Sequence, residues 1–155
     1  MTAGRAIAID LDALGDTRAL WRDWLASAQA VLEVDPAALP ADRGAAAAEL
    51  DESGAGNWRS LLERYCEDRA PVYLRRDAET SAVLRALAAS EHTIGVFTDA
   101  PEPLALVALA QLGATRRVAA LEAGGSALER ILVTLGPDAL VVRTREELIA
   151  ARSAE

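Results

Sequence analysis

Four short apolar runs constrain this chain more than anything else in it: RAIAI at residues 5–9, TIGVF at 93–97, RVAAL at 117–121 and ALVV at 139–142. None has helical spacing, and each breaks on a polar side chain. Short β-branched and apolar runs of this kind suit strands buried on both faces, as in a parallel sheet. Helical patterns lie between them. Pro101 and Glu102 suit a first turn, Leu104, Val107, Ala108 and Leu112 make one apolar face, and Gly113 suits a stop. Ser126 begins another helix, with Leu128, Ile131, Leu132 and Leu135 inward and Gly136 and Pro137 at its end, and residues 145–152 make the last. Strands alternating with helices predict βαβ units: an α/β fold with a Rossmann-like, doubly wound parallel sheet covered on both faces.

Residues 16–76 break the alternation, having three helical patterns and no strand run. Leu20, Trp21, Trp24, Leu25, Ala28, Val31 and Leu32 repeat at helical spacing, with Asp16 or Thr17 as cap. A second pattern covers residues 41–50. After the glycines of ESGAGN, Trp58, Leu61, Leu62 and Tyr65 make a third face. The expected organisation is an α/β core of residues 1–15 and 77–155, with a small helical cap of residues 16–76 inserted after the first strand.

Composition narrows the function. Aromatic residues make up 4% of the chain and hydrophobic residues 52%, so the core must be built from Ala, Leu and Val. A net charge of −8 repels phosphate backbones and anionic lipid, which excludes nucleic acid and membrane surfaces and leaves a small molecule or a protein as partner. All sixteen basic residues are arginine, so any role that needs a lysine must be filled otherwise. With Cys66 alone, no intrachain disulfide forms, and a reducing cytoplasm fits best. The amino-terminal sequence turns acidic too early for a signal peptide, and the longest apolar run, 103–112, is too short to span a bilayer.

Ligands of open parallel sheets bind outside the carboxyl ends of the strands. The residues expected there are Asp10 and Asp12, then Thr98 and Asp99, then Glu122, then Arg143 and Thr144. With DLDALGDTR at the first strand end, VFTDAP at the second, a helical insertion between them and ALERILVTLGPDALVVRTREELIAAR closing the chain, the sequence resembles the haloacid dehalogenase superfamily of aspartate-nucleophile phosphatases over nearly its whole length. The resemblance makes Asp10 the nucleophile that attacks phosphorus and Asp12 the acid that protonates the leaving oxygen and then activates water. Thr98 would bond a phosphoryl oxygen, and Asp99 would contact substrate or cap the next helix. The substrate implied is a small phosphorylated metabolite.

The same family uses a lysine to neutralise phosphate and a magnesium ion held by acids near the last strand. Here Arg143, Thr144 and Arg145 follow that strand. Three readings stand. A working phosphatase would hold Mg2+ with Asp10, Asp12 and Glu122 or Glu147, with Arg143 or Arg116 in place of the lysine. A degenerate member would set Arg143 against Asp10 or Asp12, displace the metal, and bind a metabolite or a protein. An unrelated doubly wound domain could match by chance. Among the remaining residues, His92 is expected at the surface, Cys66 as a buried hydrophobe, and the three tryptophans as packing within the cap, with a homodimer through the cap as an alternative.

Overall fold

The computed structural model describes residues 4–153. Four parallel strands, β1 (Ala6–Asp10), β2 (Thr93–Thr98), β3 (Ala120–Ala123) and β4 (Leu140–Val142), form one sheet in the order β3-β2-β1-β4. β1 is therefore central, with Ile7 in register with Ile94 on one side and Leu140 on the other. The fold is a Rossmann-like α/β fold.

Residue alternation along β1 and β2 sorts the two faces. Ile7, Ile9, Ile94 and Val96 point into a core shared with helices α5 (Ala78–Ala89), α6 (Glu102–Gln111) and α8 (Arg145–Ser153). Each such fully buried side chain contributes about 2 kcal/mol of transfer free energy. Ala8 and Phe97 face α7 (Ala127–Leu135), which packs through Ala127 and Ile131. Gly95 stands beside Ala8 in register, and a Cβ there would lie 2.7 Å from Leu135 and 3.0 Å from Ile131. Small residues on this face let α7 lie close to the sheet.

The third strand begins three residues later than its sequence suggests. Gly113 turns left-handed at φ +70°, the Ala114 amide closes onto Leu109, and a 3-10 turn then takes up Thr115–Arg117. Pairing resumes only with the Ala119 amide on Ile94, so Glu122 lies inside β3 rather than past its end. The helix α5 was not foreseen; Asp77 caps it by accepting from the Glu79 amide and from the Thr80 hydroxyl, and Val83, Leu84 and Leu87 are its buried face.

A one-turn helix α1 (Leu11–Leu14) leads from β1 into α2 (Arg18–Leu32), α3 (Arg43–Glu52) and α4 (Trp58–Tyr73). Trp24 is the centre of their core, its ring 5.2 Å from that of Trp21 and 6.0 Å from that of Trp58. Val31, expected inward, is 70% exposed at the end of α2. These helices share Ala100 and Leu104 with the sheet side, and Ala70 and Leu74 of α4 enter the main core. Cys66 is fully buried, and desolvation pushes its thiol pKa up to about 12, which suits a packing role. His92 accepts the Arg5 amide at the amino end of the sheet, opposite the strand ends that matter below. Among the described residues no helix is long and apolar enough to cross a membrane.

Candidate functional site

A cavity of about 640 Å³, within the size range of small-ligand sites, opens at the carboxyl ends of β1 and β2. Asp10, Asp12, Asp99, Phe97 and Arg143 reach it from strand ends. Arg18, Trp21 and Arg22 come from α2, Asp42 and Arg43 from the start of α3, and Ser126, Ala127 and Leu128 from the start of α7.

Asp10 ends the central strand, and its Oδ1 accepts the Asp12 amide at 3.0 Å, capping α1. Among the described residues its other oxygen accepts no hydrogen bond. Burial, more than any neighbour, raises its pKa above the usual aspartate value; the Asp12 amide opposes the rise, the charge of Asp12 adds to it, Arg43 opposes it and Asp99 adds to it.

Asp12, two residues on, is held very differently. Its Oδ1 accepts from both the Thr17 amide at 2.9 Å and the Thr17 hydroxyl at 2.7 Å, and its Oδ2 accepts from Arg43 at 3.0 Å. Arg43 is only 4% exposed. Its Nε donates to Asp99 Oδ1 at 2.9 Å, its Nη1 to the Thr17 hydroxyl at 2.6 Å, and its own backbone amide to Asp99 Oδ2 at 3.0 Å. One guanidinium thus ties together the ends of β1 and β2 and the start of α2. Local sequence places it there: Asp42 caps α3 through the Ala45 amide, and Gly44 packs so tightly against the loop after β3 that a Cβ would lie 2.6 Å from the Gly125 amide nitrogen.

The wall of the cavity is looser. Arg18 pairs with Asp16 and holds that carboxyl down to about 2, but both are mostly exposed. Arg22 reaches Asp23 at 3.3 Å, and the Arg143 guanidinium lies 6.0 Å from the Phe97 ring centre.

Of the residues expected at the site, Asp10, Asp12, Asp99 and Arg143 do line this cavity. Thr98 is 2% exposed, and its hydroxyl accepts the Ala100 amide instead. Thr144 caps α8 by accepting the Glu147 amide. Glu122 pairs with Arg130 at 2.9 Å, and Glu147 accepts the Arg143 amide at 2.8 Å, so neither joins Asp10 and Asp12. Among the described residues no three His, Cys, Asp or Glu side chains gather as a metal-holding group. The arginine paired with Asp12 is Arg43, not Arg143, which makes no ion pair with either aspartate among the described residues. Arg116 lies at the other end of the sheet, beside Arg76 and Gly113. Thr17, Arg18, Trp21, Arg22 and Arg43 were not singled out as site residues from the sequence.

No protein-family model matches the chain, and no curated protein is similar enough to count as a relative. Its class is accordingly the one its fold and cavity define: a Rossmann-like α/β protein with an acidic and arginine-lined cleft at the carboxyl end of its central strand.

Proposed function

We propose that this chain is a haloacid-dehalogenase-like protein that binds a small phosphorylated metabolite in the cleft and has lost most of the hydrolytic chemistry of an aspartate-nucleophile phosphatase. The observation that carries this reading is the engagement of Asp12. Three of the four acceptor positions of this carboxyl are taken, two by Thr17 and one by Arg43, which leaves a single position on Oδ2, beside the guanidinium, for the proton it would hand to a leaving alkoxide. Binding is supported separately. Arg22 and Arg143 present cationic heads at the wall.

One observation favours the second reading, a working phosphatase: the Asp10 oxygen that accepts no hydrogen bond. In that reading this oxygen attacks phosphorus, the ester P–O bond breaks with its electron pair leaving on the alcohol oxygen, and water later cleaves the aspartyl phosphate.

A panel of phosphate esters, followed by calorimetry and by phosphate release, separates the two. The first reading expects saturable binding that survives Asp10→Asn, without release. Release that disappears in Asp10→Asn establishes the second. A panel in which nothing binds removes both.

A further inference from the structure

The donors around Asp10 do not fit the divalent cation that phosphoryl transfer on an aspartate implies. Magnesium takes six oxygens in a near-ideal octahedron, usually one or two carboxylates with water and phosphate oxygens. Both oxygens of Asp12 are engaged by Thr17 and Arg43, and both oxygens of Asp99 by Arg43. The free oxygen of Asp10 stands without a second free carboxylate beside it.

What lies between the two carboxylates is a guanidinium: Arg43 Nη2 is 3.0 Å from Asp12 Oδ2 and 2.8 Å from Asp99 Oδ1. We propose that Arg43 takes the place of the divalent cation in this cleft, and that the cleft binds its anion without a metal. This rests on reading the cleft as a phosphate-ester site. Three features favour a fixed role over a chance surface pair. Arg43 is buried; its backbone amide as well as its side chain is bonded to Asp99; and the helix that carries it is pressed onto Gly125 with no room for a side chain at Gly44. The substitution changes the chemistry. A guanidinium carries one positive charge in place of two, donates along fixed directions, and offers no open coordination position through which a phosphoryl oxygen could be polarised. Arg43 is a positioning residue: it holds Asp12 and Asp99 and offsets one of their two charges, so that a phosphate meets a less negative cleft floor.

The test uses the full chain and Mn2+ as a spin probe. By electron paramagnetic resonance the wild type is expected to show no saturable Mn2+ site, whereas Arg43→Gln, which releases Asp12 Oδ2 and Asp99 Oδ1 from the guanidinium, acquires one that Asp10→Asn added to it weakens. A stoichiometric Mn2+ site in the wild type that is lost in Asp10→Asn would overturn the proposal, as would a folded Arg43→Gln that gains no site. If Arg43→Gln does not fold, judged by circular dichroism, the wild-type measurement decides alone. Calorimetry with inorganic phosphate supplies the second arm: wild-type affinity is expected to be the same in EDTA and in Mg2+, and a rise on adding Mg2+ contradicts the inference. Absence of phosphate binding under both conditions removes the proposed function but leaves the metal question to the Mn2+ result.

Discussion

The floor and the wall of the cleft are built from the same two residue types and held in opposite ways. On the floor, Arg43 is buried and bonded through side chain and backbone, and its partners Asp12 and Asp99 come from two different strand ends. On the wall, Arg18 and Asp16 are sequence neighbours, 74% and 55% exposed at their side chains, so water screens them. The comparison teaches that the count of charges in a cleft says less than their burial: the floor fixes the relation of α3 to the sheet, while the wall remains available to a ligand.

The largest effect should come from breaking the floor. Arg43→Met leaves Asp12 and Asp99 partly buried without their cation and should cost about 3 kcal/mol of stability, measured by urea unfolding. The corresponding Arg22→Ser should leave stability nearly unchanged and weaken phosphate binding, and a loss as large as that of Arg43→Met would erase the distinction between floor and wall.

Gly44→Ala sharpens the same contrast without removing a charge. Helix propensity alone favours alanine by about 1 kcal/mol. The new Cβ would stand 2.6 Å from a backbone nitrogen that cannot swing aside, and overpacking of this kind costs about 2 kcal/mol. Net destabilisation in thermal melts is expected; a stabilised variant would mean that α3 is free to move.

Asp77 provides a control far from the cleft. The Thr80 hydroxyl, and after it Arg145, hold its carboxyl down to about 2, from a usual 3.8. Loss of this cap in Asp77→Ala should cost about 1 kcal/mol. Because the folded value is depressed, the unfolded chain binds the extra proton between the two values, so the difference should be full above pH 4 and fade as pH falls toward 2.

Asp10→Asn should act with the opposite sign and the smallest size. A raised folded value means that the native state holds its proton longer, so the aspartate costs stability as pH rises beyond 3.8. The asparagine variant should melt slightly higher at neutral pH, with the gain gone below pH 3.8. A gain that persists in acid would assign the effect to something other than the buried charge.

Much of the sheet was legible because strand identity is a local signal. RAIAI, TIGVF and ALVV mark β1, β2 and β4 to within a residue or so, and β3 slipped because Arg116 and Arg117 were absorbed by a turn that the apolar run alone does not reveal. Asp10 and Asp12 were legible for the same reason, since a strand end is where a side chain enters the cleft. Arg43 was not. It stands in an alanine-rich stretch, 31 residues from Asp12 and 56 from Asp99, and no spacing rule connects them. The only trace in the sequence is Asp42 followed by Arg43 and Gly44, a cap, a charge and a residue without a side chain at a helix start. Glu122 and Glu147 misled for a related reason. A carboxylate near a strand end suggests a metal ligand, but Arg130 on α7 and the amide of Arg143 reach them first.

The central claim is that the cleft takes a phosphate without help from a metal. A phosphorus-31 NMR titration of inorganic phosphate against the full chain in EDTA measures it most directly. The account predicts saturable broadening of the phosphate resonance that is reduced in the double variant Arg22→Ser, Arg143→Ser. A resonance that stays sharp with the wild type, or that broadens equally with the double variant, would contradict it.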